Sequence, residues 1–345
     1  MITMRDIAER YGVSVATVSK ALNNQKDIGE KTKEEIRRIA KEMGYTPNAA
    51  AKELKTNRTH NIGVLFVDEG HNGLTHDYFA HVLDSFKNTA EFHGYNITFI
   101  NSCKESEARL TYLEQCKSRG FDGVVIACID YSDPEVIDLL RSDVPVVTID
   151  YVFSEKINVI SDNNTGMKDL VEYVYQKGHT KIAYIHGEGT AVTKGRLSAF
   201  KKTCEDLGVY IPPEYVRESA FRNVPGAYKE TMELLRLKNP PTCILYPDDY
   251  AAFGGINAIN DKGLRIPEDI SVAGYDGMAL GRCYKPQLTT IVQDTDKIGS
   301  TAAEKLIAQI EKPDTTLIEI IVVKGKVFEG SSVAANEQIE AASAI

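Results

Sequence analysis

The first 23 residues, MITMRDIAERYGVSVATVSKALN (1–23), decide the fold of the N-terminal part of this chain. The spacing of their apolar residues predicts a first helix over Met4–Tyr11. Thr3 is a suitable N-cap, and Asp6 follows it at close to the spacing of a capping box. A glycine then supplies a turn, and Ser14 caps a second helix. The segment therefore predicts two short helices joined by a tight turn.

The second helix has one apolar face and one face of short or polar side chains. Val18, Ala21 and Leu22 share the apolar face. The opposite face carries Val15, Ala16, Thr17, Ser19 and Lys20. Such a face suits a helix that enters the major groove of DNA rather than a protein core. An ordinary helical hairpin is the alternative that this segment leaves open.

The order of residues is more specific than a hairpin requires. The run 8–23 has the form A-x3-G-V-S-x2-T-V-S-x3-N, and Thr32 follows at the predicted start of a third helix. Gly-Tyr-Thr-Pro-Asn at 44–48 comes next, and then Ala51 and Leu54. Together these positions resemble the N-terminus of the lac repressor/gal repressor family of bacterial transcription regulators.

The resemblance implies a homodimer whose two heads bind the half-sites of a pseudo-palindromic, double-stranded DNA operator. Val15, Ala16 and Lys20 occupy its base-reading positions. Val15 and Ala16 can touch thymine methyl groups, whereas Lys20 can donate to guanine. The family more often has polar residues at the first two positions. The other residues that match the family's DNA-binding positions, several of them phosphate-binding, are Thr3, Ser14, Thr17, Ser19, Asn23, Tyr45, Asn48 and Ala51.

A fourth helix of about two turns is predicted from Asn48 to about Lys55, with Thr46 as its cap. Helices of that length are marginally stable in water. In the resembling family this helix is a hinge that orders on DNA, and Leu54 matches the leucine that wedges between base pairs in the minor groove. Packing of Leu54 on the head is the alternative.

Composition and length limit the classes of protein to consider. The chain has 345 residues, of which 43% are hydrophobic and 26% charged, as in soluble proteins of two or three domains. Its six cysteines form no C-x-x-C pair, which argues against a disulfide framework and a zinc site. It shows neither a secretory signal nor an apolar run long enough to span a membrane. We therefore expect a cytoplasmic protein with no membrane, metal or cofactor partner.

Charge is distributed unevenly along the chain. Residues 1–60 carry 12 Lys and Arg against 8 Asp and Glu, a balance of +4. The remaining residues have a balance of −13, for a total of −9. A basic head is expected of a module that meets phosphates, although so small an excess is weak evidence by itself.

After residue 60 the pattern changes to short apolar strands alternating with helices, which is typical of parallel sheets covered by helices. The predicted strands are 61–67, 97–101, 123–129, 144–150, 159–161, 182–186, 242–246, 270–275, 288–292 and 317–323. Several predicted helices end in glycine. This part resembles the periplasmic-binding-protein-like body that the family carries behind its head.

The predicted fold class is thus an N-terminal all-α helix-turn-helix head plus an α/β, periplasmic-binding-protein-like body of two Rossmann-like subdomains. The segments are a head at 1–46, a hinge and linker at 47–60, a body at 61–333 and a flexible tail at 334–345. Within the body, we expect subdomains at about 61–160 and 161–290, with 291–333 crossing between them. The tail is too short for the leucine heptads of tetrameric members, so we expect a dimer.

Four aspartates follow apolar strands, where ligands bind in open α/β sheets: Asp150, Asp248, Asp249 and Asp276. Each could equally be a helix cap or turn residue. Family motifs coincide with these positions: Asp248-Asp249 resembles an Asn-Asp-x-x-Ala segment, and Gly-Tyr-Asp ends at Asp276. The resemblance also implies a pocket arginine at Arg196 and a stacking ring at Phe221.

Several carboxylates, one arginine and one aromatic ring suit the hydroxyls and apolar face of a sugar. Because acidic groups outnumber Arg196, we expect a neutral sugar or glycoside rather than an anion. A cytosolic solute-binding protein, or a regulator controlled by a nucleoside or a phosphorylated carrier protein, is the alternative. Catalysis is disfavoured, because Gly187-Glu188-Gly189 does not complete G-x-G-x-x-G and no hydrolase motif is present.

Overall fold

The computed structural model describes residues 2–46, 58–68, 73–102 and 109–336. The chain divides into two compact units, Met1–Thr59 and His60–Ile345, which we call the head and the body. The predicted hinge helix, with Asn48, Ala51 and Leu54, lies outside the described residues.

The head consists of α1 (Met4–Tyr11), α2 (Val15–Leu22) and α3 (Glu30–Glu42). The Thr3 N–H donates to the Asp6 carboxylate at 2.7 Å and the Asp6 N–H donates to the Thr3 hydroxyl, so the predicted capping box is present. Gly12 ends α1 with φ +76°, a left-handed conformation that favours glycine. The first predicted helix is therefore confirmed at both ends, and the second is confirmed at its start, where Ser14 is the N-cap.

The prediction that Thr32 opens the third helix is wrong. The helix begins two residues earlier, at Glu30, and Gly29 occupies the N-cap position in an extended conformation. Glu30 in the first turn favours this start because its charge complements the helix dipole. It also accepts from the ammonium of Lys33 at 2.6 Å.

All three helices contribute to one small hydrophobic core in the head. Its fully buried members are Ile7, Val18, Ala21 and Ile36. The predicted apolar face of α2 is therefore the face that packs inward. This leaves the opposite face of α2 outside the core.

The first half of the body is a six-stranded parallel sheet in the order β11-β5-β4-β3-β1-β2. Its strands are β1 (Asn61–Phe66), β2 (Asn96–Phe99), β3 (Gly123–Ala127), β4 (Val146–Ile149), β5 (Ile157–Ser161) and β11 (Ile320–Val323). Helices on one face are α4 (Asp77–Phe92) and α12 (Thr295–Glu311), and on the other α5 (Tyr112–Arg119) and α6 (Pro134–Arg141).

The second half is a four-stranded parallel sheet in the order β7-β6-β8-β9 with an antiparallel ribbon, β10-β12. Its strands are β6 (Ile182–His186), β7 (Val216–Glu218), β8 (Cys243–Leu245), β9 (Ser271–Ala273), β10 (Thr290–Val292) and β12 (Lys326–Phe328). Its helices are α7 (Asn163–Gln176), α8 (Ala191–Asp206), α9 (Val224–Leu235), α10 (Asp249–Asp261) and α11 (Ala279–Cys283).

The chain passes between the two halves three times, after β5, after β10 and between β11 and β12. At this crossover the Asp162 N–H donates to the Val323 carbonyl at 2.8 Å. Consequently β11 and α12, which come late in the sequence, complete the sheet and core of the first half.

Each predicted strand overlaps an observed one, most of which are shorter. Sequence reasoning missed β7 and β12, which have three residues each and are partly exposed. The glycines that end predicted helices all have φ between 63° and 88°: Gly94, Gly120, Gly178, Gly208 and Gly263. Within the described ranges, no helix is long and apolar enough to cross a membrane.

Candidate functional site

The outer face of α2 carries the side chains predicted to meet DNA. Val15 is 45% exposed, and Ala16 and Lys20 are exposed as well. Ser14 caps the helix by accepting from the Thr17 N–H at 3.1 Å, and the two hydroxyls lie 2.9 Å apart. Because the small apolar side chains of Val15 and Ala16 lie outside the core, the outer face of α2 can bind a partner that presents both apolar and polar groups.

The other predicted DNA-binding residues of the head also have structural contacts. Thr3 is exposed but forms the capping box of α1. The Asn23 side-chain amide donates to the Ser19 carbonyl at 2.7 Å, which holds the end of α2. Tyr45 is half-buried against the head core. The placement of Asn48, Ala51 and Leu54 is not described.

Lys20 is engaged by a carboxylate that sequence reasoning missed. Its Nζ donates to Oδ2 of Asp27 in the loop after α2, and this hydrogen bond lowers the pKa of Asp27. The side chains of the pair are 45% and 52% exposed. No helical spacing relates the two residues, so only the path of the loop brings them together.

In the body, Asp150 lies directly after β4 with φ +56°. Its carboxylate accepts from the Tyr78 hydroxyl at 2.5 Å and from the Ser161 N–H at 2.8 Å. Burial raises the pKa of Asp150, and the two hydrogen bonds oppose that shift. Asp150 therefore links α4 to the end of β5.

Asp276 follows β9 and belongs to a network that joins the two halves. Its Oδ1 accepts from Gln293 Nε2 at 2.7 Å, and the Gln293 side-chain oxygen accepts from the Ser161 hydroxyl. The side chain of Asp276 is 15% exposed. Because Ser161 also donates its N–H to Asp150, hydrogen bonds connect the strand ends of both halves.

Arg196 of α8 is 3% exposed and lies at the same strand ends. Its Nε donates to Asn163 Oδ1 at 2.7 Å, and Nη1 donates to the Pro247 carbonyl at 2.8 Å. Nη2 lies 3.8 Å from Asp276 Oδ1, and the guanidinium is 3.5 Å from the centre of the Tyr275 ring. This buried cation is held by polar and aromatic partners, as burial of a charge requires.

The structure gives Asp249 a structural role instead of the ligand contact expected from the sequence. Asp249 is fully buried, and its carboxylate accepts from the Thr290 hydroxyl at 2.7 Å and the Met278 N–H at 2.6 Å. Burial raises its pKa well above the ordinary value. No surface of this carboxylate remains for a ligand, because strand, helix and loop close around it.

The Asp248 carboxylate likewise accepts hydrogen bonds from backbone N–H groups. It is 1% exposed, caps α10 through the Ala251 N–H at 2.8 Å and accepts from the Arg222 N–H at 2.7 Å. Burial, together with the nearby charge of Asp276, raises the pKa of Asp248 to about 6. Asp248 therefore helps to position the loop at 221–223.

Phe221 stands in this loop, with the Arg196 guanidinium 5.9 Å from the centre of its ring. Its N–H donates to Glu188 at 2.7 Å, and its ring packs so closely on Gly187 that a Cβ there would lie 2.6 Å from a ring carbon. Gly187 and Glu188 thus support the ring. This structural role accounts for both residues of the incomplete glycine motif, and no bound dinucleotide is needed to explain them.

Arg222 reaches from the second half to the first. Nη2 donates to the Thr75 carbonyl at 3.3 Å, and Nη1 lies 3.8 Å from the Asp77 carboxylate at the start of α4. Its guanidinium also lies 3.8 Å from the centre of the Tyr250 ring. Arg222 is therefore a direct bridge between the halves, away from the crossover strands.

Both parts of the chain match known protein families. The profile described as "Bacterial regulatory proteins, lacI family" matches residues 3–48, and "Periplasmic binding protein-like domain" matches 171–333. The HTH-type transcriptional repressor PurR of Pectobacterium carotovorum subsp. carotovorum is 32% identical over 328 residues, covering 93% of this chain and 94% of that protein. This chain belongs to the lacI family of bacterial regulatory proteins.

Other lacI-family proteins agree over the same length. The probable HTH-type transcriptional repressor ExuR of Bacillus subtilis is 31% identical, covering 93% of this chain and 95% of that protein. A crystal structure of the lac repressor dimer bound to operator and the anti-inducer ONPF superposes with a TM-score of 0.78 at 25% identity, over 97% of this chain and 99% of that one. The expected family and fold class are confirmed, and the protein is a DNA-binding transcriptional repressor, not an enzyme.

Sequence reasoning missed several site residues of this lacI-family body, chiefly Tyr78, Gln293 and Arg222. Tyr78 lies on the inner face of α4, where its spacing is that of a core residue. Gln293 follows a short strand and carries no motif. Arg222 directly follows Phe221, and this neighbouring predicted site residue was the one sequence feature that could have pointed to Arg222. Among the described residues, no cluster of His, Cys, Asp and Glu could hold a metal ion.

Proposed function

We propose that this repressor binds a pseudo-palindromic DNA operator as a homodimer, and that a small neutral sugar between the halves of its body sets its affinity for that operator. The observation that carries the proposal is the hydrogen-bonded network through Asp150, Ser161, Gln293 and Asp276, which spans both halves. A ligand bound there can stabilise one arrangement of the halves over another.

The chemistry of these groups supports a polyol. Asp276 offers a partly exposed carboxylate as an acceptor, Arg196 is a donor beside it, and Phe221 supplies an aromatic face. Sugars present adjacent hydroxyls on one side and C–H groups on the other, which such a set recognises. The carboxylates of Asp248 and Asp249 already accept hydrogen bonds from the protein itself.

The balance of charge also favours a neutral ligand, for a reason different from the one read from the sequence. Arg196 lies 3.8 Å from Asp276, and Arg222 lies 3.8 Å from Asp77. Each guanidinium group is therefore already paired with a carboxylate. A ligand with a full charge of either sign would have to displace one of these pairs.

A purine-related heterocycle is the second candidate effector. The relatives named PurR support this candidate. Phe221 could stack on a flat base as well as on a sugar, and Arg196 could donate to a ring oxygen or nitrogen. A phosphorylated carrier protein as co-effector is a further alternative.

On the DNA side, we propose that the α2 face reads bases through Val15, Ala16 and Lys20, and that Leu54 bends the centre of the operator. DNA and effector must then affect each other's binding by the same factor, because the coupling is reciprocal. The proposed location is the cytoplasm, where the operator is accessible.

The test is fluorescence anisotropy of the full chain on DNA upstream of its own and neighbouring genes, with neutral sugars and with purine bases. Selective binding changed by one neutral sugar is the expected result. Phe221→Ala, which removes the proposed aromatic face, is the control and should bind DNA but not respond to the sugar. A response to a purine alone would select the second candidate. Binding to no DNA sequence would overturn the proposal and favour a solute-binding protein.

A further inference from the structure

The ion pair between Lys20 and Asp27 is fixed by the loop that follows α2. Asn24 adopts a left-handed conformation, φ +56°, and its side-chain oxygen accepts from Arg37 Nη2 of α3 at 3.1 Å. The Gln25 N–H donates to the Lys20 carbonyl at 3.0 Å, so the loop folds back onto the end of α2. Asp27 therefore stands beside Lys20 because the fold places it there.

The stability of the head does not account for this pair. Both side chains are about half exposed, and ion pairs at such positions contribute little to folding. The loop is held without it, since Ile28 packs against the core and Arg37 binds Asn24. A role outside folding explains why a base-reading lysine is partly neutralised by its own protein.

We propose that Asp27 is a specificity-determining residue of the DNA-binding surface, which acts with Lys20 to select a G·C base pair. The inference rests on the proposed function, in which the outer face of α2 enters the major groove. Since Asp27 lies within one hydrogen bond of the Lys20 ammonium, any base edge that Lys20 reaches is also close to Asp27.

The two side chains together match the major-groove edge of a G·C pair. Guanine presents the acceptors N7 and O6 to the ammonium of Lys20, and the paired cytosine presents its N4 amino group to the carboxylate of Asp27. In an A·T pair, thymine presents the acceptor O4 and a methyl group where cytosine has its amino group, so the carboxylate has no donor there. Adenine also replaces the guanine O6 acceptor with an amino donor, which leaves the Lys20 ammonium only N7. On backbone phosphates, Asp27 repels while Lys20 attracts, so the pair weakens non-selective binding.

The experiment measures base preference with the full chain. The wild-type protein first selects its preferred site from a random duplex library, and anisotropy then gives affinities for the four base pairs at each position of that site. Asp27→Asn removes the charge but keeps the shape of the side chain. Glu42→Gln is the matched control, because Glu42 is an exposed carboxylate paired with Arg38 on α3.

The expected result is that one position prefers G·C by about tenfold in the wild type and by less than threefold in Asp27→Asn. Asp27→Asn should also bind random DNA several-fold more tightly, whereas Glu42→Gln keeps the wild-type ranking. In a Lys20→Ala background, Asp27→Asn should no longer change the preference at that position, because the two residues act as one unit.

An Asp27→Asn protein that binds all duplexes more tightly but keeps the wild-type ranking would overturn the inference, since Asp27 would then supply only repulsion. The proposed function would survive that result. A wild-type protein that selects no sequence from the library would overturn both. Circular dichroism melts of each variant establish that the head remains folded.

Discussion

The head and the body present their functional residues in opposite ways. On α2 of the head, the residues proposed to contact DNA lie within one short helix, and Val15, Ala16 and Lys20 are exposed outside the core. In the body, Asp150, Arg196 and Asp276 come from distant segments. Asp276 lies 3.8 Å from Arg196 and is connected to Asp150 through Gln293 and Ser161. A surface made by one helix separates function from stability, whereas a site made by strand ends combines them.

Arg196→Ala tests this difference most strongly. It leaves Asp276 and Asn163 without their cation, and removal of one partner of a buried pair typically costs about 3–5 kcal/mol. We expect a large drop in the melting temperature of the body and roughly a hundredfold or greater loss of effector affinity by calorimetry. Arg236→Ala, which breaks an exposed pair in the same half, is the control and should change neither. An Arg196→Ala body that melts at the wild-type temperature would show that this site does not combine function with stability.

Acid should affect the two regions in opposite directions. The pKa of Asp248 is raised from 3.8 to about 6, so its protonated form stabilises the body; this contribution is full below pH 3.8 and lost as the pH rises through about 6. In the head, hydrogen bonds to Thr3 lower the pKa of Asp6 and the Lys33 hydrogen bond lowers that of Glu30. Their stabilisation is present above the ordinary pKa and lost as the pH falls through the lowered values.

Hydrogen exchange of the full chain, read by mass spectrometry region by region and corrected for intrinsic rates, measures this contrast. For the body we expect a change in unfolding free energy on the order of 3 kcal/mol from Asp248 between pH 4 and 7. Asp248→Asn should flatten that dependence. A body that gains protection steadily as pH rises from 4 to 7 would contradict the prediction.

Leu54→Ala separates DNA binding from ligand binding. Loss of the proposed apolar wedge should weaken operator affinity by about tenfold, because the duplex is no longer held bent. Effector affinity in the absence of DNA, measured by calorimetry, should stay at the wild-type value. Equal losses in both assays would indicate general misfolding.

Arg222→Ala has the smallest expected effect. It removes the contacts with the Thr75 carbonyl and Asp77 and so weakens the contact between the two halves. We expect effector dissociation to become about three- to fivefold faster in stopped-flow measurements, since a partly exposed ion pair contributes less than about 1 kcal/mol. Arg217→Ala, which breaks a pair within the second half, serves as the control. An unchanged dissociation rate would show that Arg222 does not contribute to the coupling between the two halves.

The head was predictable from sequence because its signals are local. The cap of α1, the turn at Gly12 and the apolar face of α2 each depend on residues within one or two helical turns. The start of α3 was less predictable, since a glycine N-cap gives no side-chain signal. The Lys20–Asp27 pair depends on the conformation of a loop, which spacing does not reveal.

For the body, strand–helix alternation predicted the class of fold and the strand ends near which a ligand would lie. It could not tell which strand-end aspartate remains accessible. Asp249 and Asp276 follow equivalent strands, yet one is enclosed by Thr290 and Met278 while the other is partly exposed. That outcome depends on packing between segments far apart in the chain.

The three passages of the chain between the halves also govern how the protein is made. During synthesis the first half cannot complete its sheet when β5 emerges, because β11 and α12 come only after nearly all of the second half. An unfinished sheet leaves β5 as an exposed edge and part of the core uncovered, which invites aggregation. The ribosome must therefore deliver almost the whole polypeptide before either half is finished, and a truncated product is left with no complete half.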